Sequence, residues 1–200
     1  MKEKISELRF RISRTAAVRT PRSRSDEEEV NRVKKLVDAG NALAFYQLAG
    51  YYDRGIRGFP QDSAKANELL LKAGQLGYAD AYFNLGNNYD NGRGVEVDTK
   101  KAIHYWELAA LNGDVQARHY LGCSEGQDGN HQRAFKHFII AARAGSKRSL
   151  DKVKKGCMHG DVTKDEYANT LRAYQKSVDE MKSEARDKSE DIMARHRAAP

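Results

Sequence analysis

Cys123 follows His119 by four residues, a spacing that sets both side chains on one face of a helix. A thiol beside an imidazole is a pairing used for nucleophilic catalysis, in which the histidine takes the thiol proton. Cys157-Met158-His159 brings a second thiol and imidazole, which together with Cys123 could ligate zinc if neighbouring elements met. No close pair of ligand motifs supports such a site, and helix surfaces often place Cys and His this near each other by chance. The other histidines, His104, His131, His137 and His196, are scattered. Gly92-Arg93-Gly94 is not a phosphate-cradling loop, because it lies between two helical stretches and not after a strand. No strained turn presents a serine nucleophile. The residues therefore predict no metal site, no cofactor and no enzyme. A thiol-centred site near Cys123 stands as the alternative.

These residues sit inside a repeating pattern. Ala81, Leu85, Gly86 and Tyr89 share one face of a helix, and Asn91-Gly92-Arg93-Gly94 breaks it. Asp98 can accept from the free amides of a second helix. Ala102, Tyr105, Trp106, Ala109 and Ala110 form the apolar stripe of that helix, and Gly113 closes it. The unit recurs. First helices lead with Ala44, Ala81 and Ala117, followed by Leu48, Leu85 and Leu121. Second helices follow Asp62, Asp98 and Asn130, each four residues before an alanine, and end at Gly77, Gly113 and Gly145. The third copy is shorter in the loop between its helices, where length changes cost little. One such pair buries too little surface to stand alone, so stacking is required.

The central copy, with Leu85-Gly86, Tyr89, Gly92-x-Gly94-Val95, Asp98-x-x-Lys101-Ala102, Trp106, Ala109-Ala110 and Gly113, resembles the Sel1-like repeat. That family is related to the tetratricopeptide repeat. The first copy has Ala49 where the glycine is expected and one extra loop residue, and the third lacks the Gly-x-Gly-Val turn. The resemblance implies an all-α fold, an α/α superhelix of stacked helix pairs. Helices are expected near 26–38, 42–53, 63–75, 79–90, 99–111, 115–124, 131–143, 147–158 and 164–190.

The array is expected over residues 25–160. Ser25 and Glu28 form a capping box ahead of an N-terminal half-repeat with Val30, Val33, Leu36 and Val37 inward. Residues 146–158 form a degenerate fourth first-helix weakened by Gly156. Thr163 and Glu166 open a helix over 161–190 whose stripe is Tyr167, Leu171, Tyr174, Val178, Met181 and Ala185. This long helix is expected to cap the array; a coiled-coil dimer is the sharper alternative, and a monomer is expected. Residues 191–200 read as a disordered tail.

Residues 1–24 hold eight Lys or Arg against two Glu, a net +6 of the chain's +7. They read as a basic disordered arm, with weak contact to nucleic acid or an anionic membrane as one alternative and a cleaved targeting peptide as another. The basic character is thereby assigned to the arm and not to a basic face on the array. Two cysteines cannot make a disulfide framework and suit a reduced intracellular, cytoplasmic setting. No apolar run approaches the roughly 20 residues of a membrane span.

The expected function is that of a protein-interaction adaptor or scaffold. By the resemblance, partners lie along a concave face built from the first helices. The positions that line up there are Tyr46, Phe83 and His119; Gly50, Asn87 and Cys123; and Asp53 and Asp90. Aromatics would anchor a peptide or helix and polar groups would orient it. The competing reading keeps Tyr46 and Phe83 as core.

Overall fold

The computed structural model describes residues 24–198. Among them every regular element is an α-helix. Helices run α1 Arg24–Asp38, α2 Ala42–Arg54, α3 Ser63–Gln75, α4 Ala79–Asn91, α5 Thr99–Leu111, α6 Val115–Gln127, α7 His131–Arg143, α8 Lys147–His159 and α9 Lys164–Ala198. Each packs on the next from α1 to α9, and α9 also lies on α7. The basic arm, apart from Arg24, falls outside the described residues.

Side-chain chemistry at the helix ends explains most boundaries. Asp62 accepts from the Lys65 amide at 2.8 Å and Asp98 from the Lys101 amide at 3.0 Å, as their positions predict. Thr163 and Glu166 form the reciprocal capping box: Thr163 N donates to Glu166 at 3.1 Å and Glu166 N to Thr163 Oγ1 at 3.2 Å. Asn41, Asp114 and Ser146 cap the remaining first helices except α4, whose N-cap Tyr78 makes no such bond. Asn130 departs from expectation. It does not cap α7, and its amide instead donates to Glu125 at 2.9 Å. In the third copy α6 runs on to Gln127, a turn beyond the expected end near 124. Without the Gly-x-Gly-Val turn, nothing breaks it earlier.

The loop of the first copy contains an unusual residue. Arg57 adopts φ 58, the left-handed region that Gly94 occupies in the central copy at φ 70. A side chain at 94 would run into Ser63, whereas Arg57 is held by ion pairs to Asp26 and to Glu29, the latter at 2.8 Å. Glu29 also accepts from the Tyr51 hydroxyl at 2.8 Å. Burial, then the Glu29 contact, pushes the Tyr51 phenol up to about 12. These bonds fasten the capping helix α1 to the first full repeat.

The core runs as linked clusters along the stack. Val30 and Val33 of α1 meet Ala44 and Tyr51; Ala49, Ala66, Leu70 and Leu85 follow; then Ala102, Trp106 and Leu121; then Ala134, Phe138 and Val153. Leu85, Trp106 and Leu121 are buried as predicted, while Tyr89 and Tyr105 are half-buried and stack on each other at 5.5 Å. Leu36, expected inward, is 39% exposed.

In α9 the buried stripe is turned from the expected heptad. Thr170 is fully buried while Leu171 and Met181 are 40% and 50% exposed, because the helix lies on α7 and α8 through Tyr167 and Thr170. The helix also continues past residue 190 to Ala198, into the segment expected as a tail.

Candidate functional site

Two clefts open on the first helices, each floored by the second helix of a repeat. The first has a volume of about 610 Å³ and lies between α2 and α4 over α3. Its walls include Tyr46, Gln47, Gly50, Asp53, Asn84, Asn87 and Arg93, with Ala66 and Leu70 beneath. The second, of about 440 Å³, lies between α6 and α8 over α7, where Phe135 and Phe138 form the floor. Both fall in the 300–1,000 Å³ range of ordinary ligand pockets. Between them Trp106 and Tyr120 pack at 5.3 Å, with Phe83 edge-on to Tyr120 at 5.4 Å. These three rings pack together between the two clefts.

A side-chain network shapes the first cleft. Asn84 donates to the Tyr46 hydroxyl at 3.0 Å, and the Trp106 indole donates to Asn87 Oδ1 at 3.1 Å. Asn67, buried beneath, donates to the Arg93 carbonyl at 2.9 Å and accepts from Asn88 at 2.6 Å. Arg93 reaches back to Asp53 at 2.9 Å. The amides thus cross-link consecutive repeats and leave a polar wall over an aliphatic floor.

The positions aligned by the resemblance separate in space. Tyr46, Gly50, Asp53 and Asn87 line the first cleft, and Cys123 lines the second. Phe83 is half-buried among the dividing aromatics and lines neither cleft, and Asp90 is exposed at the end of α4, outside both. His119 is 3% exposed and belongs to the interior. Its position two past a leading alanine matches Phe83, but Ser149 of α8 draws the imidazole inward. Nδ1 hydrogen-bonds Ser149 Oγ at 2.8 Å, and Nε2 lies 3.7 Å from Cys123 Sγ. Burial, then Arg148 and Lys152, lowers the His119 pKa, which favours the neutral ring.

Sequence reasoning missed the polar wall made by Asn84, Asn88 and Arg93, and also the cationic rim of the second cleft. Asn84, Asn87 and Asn88 within one helix were the available signal. The charge assignment needs correction too. Helix α8 alone carries Lys147, Arg148, Lys152, Lys154 and Lys155 against Asp151, a local +4 that averaging over the whole array hid. Lys152 and Lys155 line the second cleft. Cys157 and His159 border the same region, but no group of three His, Cys, Asp or Glu side chains stands close enough to hold a metal among the described residues. No described helix is long and apolar enough to cross a membrane.

Stacked helix pairs in head-to-tail contact, with clefts between successive first helices, define an α/α repeat solenoid. The chain belongs to the Sel1 repeat family, with three copies matched at residues 41–78, 79–114 and 115–146. It is 32% identical over 103 residues to the ERAD-associated E3 ubiquitin-protein ligase component HRD3B of Arabidopsis thaliana, a match covering 50% of this chain and 16% of that protein. It is also 32% identical over 112 residues to the chitin synthase regulator SKT5 of Saccharomyces cerevisiae, covering 52% of this chain and 16% of that one. The chain therefore spans about a sixth of the length of these relatives, which are named as a component and a regulator and not as enzymes. The fold is similar to that of a Sel1 repeat protein from Oxalobacter formigenes, with a TM-score of 0.64 at 21% identity over 75% of this chain and 64% of that one.

Proposed function

We propose that the protein is an adaptor that holds a protein partner along the face built by its first helices. The observation that carries this reading is the first cleft. Its polar wall is fixed by bonds between repeats, so binding there would cost little ordering of the walls. Tyr46 offers an amphipathic aromatic edge, and Gln47, Asn87 and Arg93 offer hydrogen bonds that orient a backbone. The relatives named as a ligase component and a synthase regulator support a role exerted through other proteins. The residues put forward for contact are Tyr46, Asn87 and Asp53, with Cys123 at the second cleft. Phe83 and His119 act through packing.

The test is quantitative capture of partners from extract of the source cells. Tyr46→Ala removes the aromatic edge, and Gln47→Arg obstructs the cleft from an exposed position that cannot disturb the core. Both should deplete the same captured proteins, while Glu107→Arg, exposed on α5 outside both clefts, should not. A captured set indifferent to both cleft variants, or lost equally with Glu107→Arg, would refute the proposal.

A further inference from the structure

The two clefts occupy corresponding places in the stack but differ in charge. Around the first, Glu29 and Asp53 balance Arg54 and Arg93. Around the second stand Lys152, Lys155, His131 and His159, with Asp161 the one carboxylate in the lining. Two nearby acids are engaged elsewhere: Glu125 pairs with Arg133 at 3.0 Å and Asp151 with Lys147 at 3.0 Å. Lys152 and Lys155 are three apart on α8 and so project from neighbouring turns of one face. The Lys152 ammonium lies 5.9 Å from the centre of the Phe138 ring. His159 is fixed at the rim by a 2.7 Å bond between its Nδ1 and the Lys155 carbonyl.

The floor is apolar and thinly walled. Phe135 and Phe138 meet edge to face at 6.1 Å. Gly156 lies against Phe135 and Gly122 against Phe138, so closely that a β-carbon at either would overlap the ring. At the sequence level Gly156 reads as a weak point of the helix. In the structure it is the residue that lets α8 approach Phe135.

We propose that this second cleft binds an acidic peptide segment of a partner, with an aromatic or large aliphatic side chain seated over Phe135 and Phe138. Carboxylates flanking that side chain meet Lys152 and Lys155. The charge complementarity and the apolar floor lie together in one cleft, and neither alone would select such a segment. A nucleic acid fits less well. Its phosphates need a continuous basic track, and Asp161 interrupts this one within the cleft. The inference rests on the adaptor reading and gives its second cleft a ligand class.

The experiment is fluorescence anisotropy with the full chain and a labelled Glu-Glu-Phe-Glu-Glu peptide. Binding should be about tenfold or more tighter than for Gln-Gln-Phe-Gln-Gln and for Glu-Glu-Ala-Glu-Glu, and should weaken as salt rises. Lys152→Glu with Lys155→Glu should reduce it about tenfold or more. Both residues are exposed, so the fold should persist, which circular dichroism checks. Lys136→Glu, a charge reversal on α7 outside both clefts, should leave it unchanged. Equal binding of the acidic and amide peptides, no binding, or indifference to the charge reversal would overturn the proposal. A short single-stranded RNA that binds as tightly through the same lysines would reassign the cleft to nucleic acid. Loss on Gln47→Arg but not on the lysine reversal would move the peptide to the first cleft, keeping the adaptor reading and removing this inference.

Discussion

Gly86 lies directly against the indole of Trp106, so that a β-carbon at position 86 would overlap the ring. Gly122 stands in the same relation to Phe138 one repeat later. One repeat earlier the pair is Ala49 and Leu70, buried in one cluster: a larger residue on the first helix accompanies a smaller one on the second. The two positions form a single packing unit.

Gly86→Ala should therefore destabilise the fold. Overpacking costs about 1–3 kcal/mol, against a helix-propensity gain of up to about 1 kcal/mol. In the presence of Trp106→Leu the same change should cost less, by about 1 kcal/mol or more, measured as a double-mutant cycle in urea. Strict additivity would show that the two positions do not pack as one unit.

Helix caps give a matched pair. Asp114 accepts from the Ala117 amide at 2.7 Å, whereas Asn130 makes no cap bond. Asp114→Ala should cost about 1 kcal/mol. Asn130→Ala should cost clearly less, since only its exposed bond to Glu125 is lost. Equal losses in chemical denaturation would contradict this account of α6 and α7.

Two histidines set a pH response. Burial is the leading cause that lowers His119, with Arg148 and Lys152 adding to it. Burial also leads for His137, where Arg118 and Arg133 lower and Glu125 and Glu107 raise. A folded pKa below the unfolded value of about 6.5 means that the unfolded chain takes up protons first. Stability is then full above about pH 6.5 and declines as pH falls below it, until the folded pKa is passed. The urea midpoint should drop between pH 7.5 and 5.5, and His119→Gln should flatten that slope. A midpoint that rises on acidification would be the contrary result.

The Cys123 thiol beside His119 invites a catalytic reading, which the adaptor account resolves through a conservative variant. Cys123→Ser keeps a polar group near Nε2 and should leave helicity unchanged and abolish no turnover. Thiol-sensitive turnover that disappeared in Cys123→Ser would displace the adaptor reading in favour of a thiol-centred site.

Much of the architecture was legible because local signals agreed. Leading alanines, acidic caps and closing glycines fixed the pairs, and a cap bond or a left-handed glycine needs no knowledge of distant residues. The clefts were less legible because they depend on which side chain fills a gap. His119 and Phe83 occupy equivalent positions, yet Ser149, thirty residues on, pulls the first into the interior while Tyr120 holds the second at the divide. The stripe of α9 was read only in part: Tyr167, Tyr174 and Val178 are half-buried, but Leu171 and Met181 are exposed. Tyrosines and aliphatics recur at heptad spacing, but the helix rests on the buried hydroxyl residue Thr170. The lysine cluster of α8 was visible in the chain and was lost only by averaging charge over the array.

The most direct test of the central claim places a photo-crosslinking amino acid at Gln47 and, separately, at Lys155, with Glu107 and Lys136 as exposed controls outside both clefts. In extract of the source cells, irradiation should give discrete protein adducts from one or both cleft positions and none above background from the controls. Adducts formed as readily at Glu107 and Lys136, or absent from both clefts while the protein still captures its partners, would contradict binding along the first-helix face.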